Sequence, residues 1–268
     1  MACSDVIYLD NAATTQMTPE VYAAMKPYFC SEYFNPSSLY APAQHEKMVL
    51  ERARTYLAST INARSSEIRF TSGGSEADNA ALKGIALANQ DSGNHIIVSS
   101  VEHHAVLESA RWLERRGFEV TYLPVDASGV VDPESLRQAI RPDTILVSIM
   151  VANNEVGSVQ PISVLAAIAH EHGVPFHTDA VQAYGHIPLD VSQLGVDALS
   201  VSAHKFHGPK GVGFLYCKRG LKTEPLISGG AQERGYRAGT ENLAAIVGME
   251  KAAHLAFIEC RTALNKED

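Results

Sequence analysis

Two patterns of apolar residues alternate along the chain. Short, nearly unbroken apolar runs occur at Ile68-Arg69-Phe70-Thr71, His95-Ile96-Ile97-Val98, Phe118 to Leu123, Thr144 to Met150, Pro175-Phe176-His177-Thr178, Ala198 to Ser202 and Val212 to Cys217. Their length and β-branched content predict strands, and the run Thr144 to Met150 is apolar enough to be buried on both faces. Between them lie longer segments with helical spacing. Thr18-Pro19-Glu20 predicts a helix start, with a capping hydroxyl and proline in the first turn. Ala41 to Ala58, an alanine-rich segment after Gly73-Gly74-Ser75-Glu76, Ala105 to Arg116 closed by Gly117, a segment opened by Asp132-Pro133-Glu134, and Ile162 to His172 complete the helical set. Strands alternating with helices of this length predict an α/β fold: a mostly parallel sheet with helices on both sides, in three layers α/β/α.

In such sheets ligands bind at the carboxyl ends of the strands. Five polar clusters fall at predicted strand ends: Gly73-Gly74-Ser75, Glu102-His103-His104, Asn153-Asn154-Glu155, Asp179-Ala180-Val181-Gln182 and Ser202-Ala203-His204-Lys205. Gly73-Gly74-Ser75 joins a strand to a helix. Its glycines allow close backbone approach, and a helix start suits a phosphate; a tight turn with an N-cap explains it equally well. Neither a GxGxxG nor a GxxxxGK[ST] pattern is present. Lys205 follows an apolar strand end, where partial burial makes an amine nucleophilic toward an aldehyde, and Ser202 and His204 beside it suit a phosphate. Asp179 can pair with a protonated ring nitrogen, which turns a pyridine into an electron sink, or can cap the segment that follows. His103 can stack on a ring and move protons, or cap a helix. Asn154 ends the most apolar run, and a buried amide there needs partners.

Composition narrows the classes. The chain has 268 residues, 46% hydrophobic and 19% charged, enough for a full core without disulfides or metals. Its formal charge is −8, and the basic residues are scattered, which argues against a nucleic-acid surface. Cys3, Cys30, Cys217 and Cys260 form no CxxC or zinc spacing. Free thiols, no secretory signal at Met1 to Asp5 and no long uncharged apolar run lead to the expectation of a cytoplasmic protein without a membrane span.

The ordered set of motifs resembles the class I (NifS/IscS-like) cysteine desulfurases. The resemblance rests on Tyr8-Leu9-Asp10-Asn11-Ala12-Ala13-Thr14-Thr15, Thr71-Ser72-Gly73-Gly74-Ser75-Glu76-Ala77-Asp78-Asn79, Glu102-His103, Asn153-Asn154-Glu155-Val156-Gly157, His177-Thr178-Asp179-Ala180-Val181-Gln182, Ser202-Ala203-His204-Lys205, Gln232-Glu233-Arg234-Gly235 and Arg237-Ala238-Gly239-Thr240. It runs from residue 6 to about residue 255. It implies the large domain of a fold-type-I pyridoxal-phosphate enzyme and a homodimer. Lys205 would carry pyridoxal 5'-phosphate covalently, Asp179 would face its ring nitrogen, and His103 would stack on the ring as acid and base. Asn154 and Gln182 would reach the ring hydroxyl. Gly74, Ser75, Ser202 and His204 would hold the phosphate, and Thr240 would reach the phosphate of the other subunit.

The resemblance further implies L-cysteine as substrate, alanine as product and a sulfur-acceptor protein, as in iron–sulfur cluster assembly. Its organisation would be an N-terminal segment 1–18, a cofactor-binding domain 19–255, and 256–268 as the start of a helix toward a small domain. Family members carry a nucleophilic cysteine loop and a carboxylate-binding arginine in that small domain. None of the four cysteines matches that loop, so the chain is expected to be truncated and to turn over little alone. A selenocysteine lyase, an aminotransferase on the same scaffold, and an inactive cofactor-binding subunit are the alternatives.

Overall fold

The computed structural model describes residues 6–264, with side chains through residue 258. Cys3 and residues 265–268 of the expected terminal helix lie outside the described residues. In chain order the elements are α1 (Pro19–Met25), α2 (Pro27–Cys30), α3 (Ala41–Ser59), β1 (Ile68–Thr71), α4 (Gly74–Ala88), β2 (His95–Ser99), α5 (His104–Glu114), β3 (Glu119–Leu123), α6 (Pro133–Ala139), β4 (Thr144–Ser148), α7 (Ile162–Glu171), β5 (Phe176–Asp179), α8 (Val191–Leu194), β6 (Ala198–Ser202), β7 (Gly213–Cys217) and α9 (Leu243–Leu264). Local chemistry sets several starts. Thr18 accepts from Val21 N at α1, and Asp132 accepts from the amides of Glu134 and Ser135 at α6, each with proline in the first turn.

The strands form one seven-stranded sheet in the order β1-β7-β6-β5-β4-β2-β3. β2, β3, β4, β5 and β6 pair in parallel, while β7 lies antiparallel between β1 and β6. The expectation of a mostly parallel sheet holds. The reversal of β7 follows from its connection: Ala203 to Val212 is too short for the helical crossover that a parallel neighbour requires.

Alternation along the strands feeds two cores. Ile97, Val147, Phe176, Leu199, Val201, Phe214 and Tyr216 pack on one face with α1, α3, α6, α7 and α9. Ile96, Val98, Leu146, Ala198, Leu215 and Cys217 pack on the other with α4 and α5. Burial on both faces explains why these strands read as apolar runs rather than alternating ones. On the α4 side, β4, β5 and β6 also carry a buried polar patch. His177 bonds Ser148 Oγ at 2.8 Å through Nδ1 and Ser200 Oγ at 3.0 Å through Nε2. These hydroxyls satisfy a fully buried imidazole, and burial holds its pKa down at about 3, so it is neutral at ordinary pH.

Candidate active site

A cavity of about 780 Å³ opens at the carboxyl ends of the parallel strands. All five polar clusters reach it: Gly73, Gly74 and Ser75; His103; Asn154 and Glu155; Asp179 and Gln182; and Ser202, His204 and Lys205 line its wall. Asp10 and Ala12 to Thr14 close one side.

The approach of α4 is set by glycine. Gly73 has φ +146°, and a Cβ at Gly74 would lie 2.6 Å from Val181 Cγ2 and 3.5 Å from Ser202 Cβ. The first turn of α4 therefore meets the ends of β5 and β6 directly. Gly73 also provides no capping side chain, so the first amides of α4 keep their donors for an anion at the cavity. Ser202 is buried beside this turn, and Ser75 is exposed on it.

Lys205 lies on the turn after β6, with its side chain half-buried. Its Nζ donates to the carbonyl of Ala13 at 2.9 Å and to that of Ala12. Burial holds the ammonium below the ordinary lysine range, although the carboxylates of Asp179 and Asp10 pull the other way. His204 bonds Thr14 Oγ1 at 3.1 Å, and its backbone carbonyl accepts from Thr15 N at 2.9 Å. Burial, then the charges of Lys205 and Lys210, lower the His204 pKa, so the ring reaches the cavity as a neutral imidazole.

Asp179 ends β5 and is buried, and its Oδ1 accepts from Val181 N at 2.8 Å. Asp179 thus braces the following turn and also faces the cavity. His103 is likewise an N-cap, with Nδ1 accepting from Ala105 N at 3.1 Å. That bond leaves Nε2 as the protonated nitrogen of the neutral ring. Gln182 donates to the Ala12 carbonyl at 2.9 Å.

One expectation needs correction. The buried amide beyond β4 is Asn153: its Nδ2 donates to Val101 O at 2.8 Å, and its Oδ1 accepts from the amides of Glu155 and Val156. Asn154 is only partly buried, donates to Glu155 Oε1 at 2.7 Å and faces the cavity. The cause is that β4 ends at Ser148, before the apolar run does, so the chain turns and Asn153 braces the turn. Thr240 is exposed and does not line this chain's cavity. The nearby Arg237 instead pairs with Glu76 of α4 at 2.9 Å.

Two carboxyls had no individual role in the sequence reading. Asp78, one turn into α4, lies under the cavity, where one of its oxygens, one of Asp179 and a His103 nitrogen are all within 4.8 Å of one another. Glu102 is buried behind His103: Oε1 accepts from Ser99 Oγ at 2.5 Å and Met150 N at 2.9 Å, and buried Oε2 has no partner. Burial pushes the Glu102 pKa up to about 8, against those two hydrogen bonds. A carboxyl whose folded pKa lies above its unfolded 4.5 loses stability for the fold as pH rises from 4.5 to about 8. Glu102→Gln removes that loss. Between pH 6 and pH 9 the variant should gain about 3 kcal/mol on the unchanged protein, from about two pH units at 1.36 kcal/mol each. Urea unfolding at the two pH values checks this; a constant difference between the proteins would overturn it.

The arrangement fits a phosphorylated pyridine aldehyde. It offers an amine of lowered basicity, a buried carboxyl, an imidazole and an uncapped helix start around one cavity. The chain has counterparts among known proteins. An aminotransferase class-V profile matches residues 7–267. The cysteine desulfurase IscS of Dictyoglomus turgidum is 56% identical over 253 residues, 94% of this chain and 64% of that protein. A solved structure described as a NifS-like protein superposes with a TM-score of 0.93 at 42% identity, over 96% of this chain and 71% of the other. The structure described as SspA in complex with cysteine gives 0.91 at 42% identity, over 93% and 72%. The chain thus spans just under two thirds of the length of the IscS relative. Neither Cys30, exposed at the end of α2, nor Cys217, buried in β7 with its thiol pushed up to about 11, lines the cavity. Among the described residues no helix is long and apolar enough to cross a membrane. With its sheet, cavity and strand-end lysine in place, the chain belongs to the aminotransferase class-V family of pyridoxal-phosphate enzymes.

Proposed function

We infer that this chain forms the cofactor-binding part of a cysteine desulfurase acting on L-cysteine. The observation that carries the reading is Lys205, half-buried at the end of β6 and sharing its cavity with Asp179 and His103. The relatives described as IscS and NifS-like, and one described in complex with cysteine, support the substrate class.

Pyridoxal phosphate, when bound, supplies an electron sink for bonds at the substrate Cα. Lys205 Nζ would hold it covalently and would be the base for the Cα proton. The lowered basicity of Lys205 suits both tasks, because the neutral amine is the reactive form. Asp179 would hold the ring nitrogen protonated, and His103 would lie against the ring with Nε2–H available for proton transfer. The first amides of α4, Ser75, Ser202 and His204 would hold the phosphate, and Asn154 and Gln182 the ring hydroxyl; Gln182 is now engaged by the Ala12 carbonyl. The sulfur would leave cysteine for a thiolate, and neither Cys30 nor Cys217 reaches the cavity to serve. A homodimer with Thr240 at the partner's phosphate, and a protein acceptor for the sulfur, belong to the same reading.

The test is an assay of the cofactor-loaded chain with L-cysteine and an external thiol. Alanine and sulfide should form in equal amounts, and omitting the thiol should depress both. Amino transfer from alanine to a 2-oxo acid, without sulfide from cysteine, would replace this reading with an aminotransferase.

A further inference from the structure

The floor of the cavity holds two carboxyls where the chemistry so far uses one. Gly74 brings the first turn of α4 against Val181 and Ser202, and one turn later this approach places Asp78 beside the end of β5. Asp78 is 1% exposed and Asp179 is 4% exposed, with their nearest oxygens within 4.8 Å. Asp78 Oδ1 is buried and meets no hydrogen-bond donor. Two carboxylates this close and this dry cannot both ionise, so the pair holds one proton.

The surroundings decide where the proton sits. From β5, His177 Nε2 lies 3.8 Å from Asp78 Oδ1, but it is engaged by Ser200 and the ring is neutral. Ser200 of β6 hydrogen-bonds Asp78, and Glu102, beyond β2, adds only further negative charge when ionised. Among the described residues no lysine or arginine forms an ion pair with Asp78; a His103 nitrogen lies within 4.8 Å of it. Asp179 accepts a backbone hydrogen bond from Val181 and feels His103 and Lys205, both of which favour its anion. Burial raises the affinity of both carboxyls for a proton, and the neighbouring Asp179 charge raises that of Asp78 further.

We propose that Asp78 is a positioning residue: it carries the single proton of a buried Asp78–Asp179 carboxyl pair and thereby keeps Asp179 ionised and aimed into the cavity. Its role toward a pyridine nitrogen rests on the function proposed above; the location of the proton does not.

The proton can be read without cofactor. Protein labelled with carboxyl-¹³C aspartate keeps Glu102 out of the infrared spectrum of interest. The cofactor-free protein should show a labelled carboxylic-acid C=O band at pH 7, absent from Asp78→Asn of unchanged circular dichroism. No such band in the unsubstituted protein, or its survival in Asp78→Asn, would overturn the proposal; the first of these readings needs no variant at all. Pyridoxal phosphate titration then separates positioning from packing. Asp78→Asn keeps a neutral donor and should bind within about threefold of the unsubstituted protein, while Asp78→Ala should bind at least about tenfold more weakly. Equal affinity of the two variants would exclude a positioning role. An unsubstituted protein that shows the band but takes up no pyridoxal phosphate upholds the carboxyl pair and sinks the cofactor reading.

Discussion

Lys205→Ala should abolish covalent retention of pyridoxal phosphate and lower any cysteine-dependent alanine formation by about 10³-fold or more. Borohydride reduction of the loaded, unsubstituted protein should fix one cofactor to the peptide containing Lys205. The variant should fix none, although the phosphate-holding wall is intact and reversible binding survives. The cavity supplies its own control, because Lys210 also lines it and is exposed. Label that moved to Lys210, or that was on Lys210 from the start, would remove Lys205 from its role. The reaction should also depend on pH in a definite direction. Burial holds the Lys205 pKa below 10.5, so the neutral amine gains population as pH rises and the rate of fixation should level off below the ordinary lysine range. A rate still climbing through that range would mean that the lysine is solvated as an ordinary surface residue.

How far the sequence reveals this site depends on which residues hold each part. The bounds of β1 and β6, Ile68–Thr71 and Ala198–Ser202, match the apolar runs residue for residue. β6 is buried at every position and β1 at every position but Arg69, and the polar Glu67 and Asp197 precede them. The cavity follows from the same pattern, since the clusters bounding these runs converge at the carboxyl ends of the strands. The reversal of β7 was open to the same reasoning, because no helical pattern separates Ser202 from Gly213. Other features were hidden because they depend on partners far apart in sequence. Lys205 bonds the Ala13 carbonyl, and His204 bonds Thr14, across more than 190 positions for the lysine and 190 for the histidine. Backbone carbonyls of a polar segment leave no mark in a residue pattern. Asp78 reads as an ordinary polar residue in the first turns of a helix until Gly74 is seen to press that helix onto β5. Asn153 and Asn154 are chemically identical neighbours, and only the early end of β4 decides which is buried.

Breaking the Arg54–Glu233 pair should cost roughly 3–5 kcal/mol of stability, the usual range when one partner of a buried ion pair is removed. The side chains are 4% and 2% exposed, and the two ends of the guanidinium meet the two carboxylate oxygens at 2.6 and 2.8 Å. Glu233 also accepts from Phe70 N of β1 at 2.8 Å, while Arg54 donates to Ile68 O at 3.0 Å and lies over the Phe70 ring at 4.5 Å. One ion pair thus ties α3, the edge strand β1 and the loop that leads to Arg237. The loop adopts strained backbone there, with φ +46° at Glu233 and +59° at Arg234, so it has a reason to spring away when the tie is lost. Glu233→Ala leaves a buried cation and an unmatched β1 amide, and should shift the urea midpoint by the full amount without a change in slope. Arg54→Met with Glu233→Ala should cost less than the sum of the single substitutions, because no charge is left stranded. Additive losses in that cycle, or a Glu233→Ala protein as stable as its parent, would show that the loop is held by other contacts. Loss of the tie should also reach the cavity rim: Arg237 pairs there with Glu76, whose carboxylate accepts from Ser72 N beside the Gly73 turn. Pyridoxal phosphate affinity should therefore fall along with stability in Glu233→Ala, and recover in Glu233→Gln, which keeps an acceptor for both Arg54 and Phe70 N.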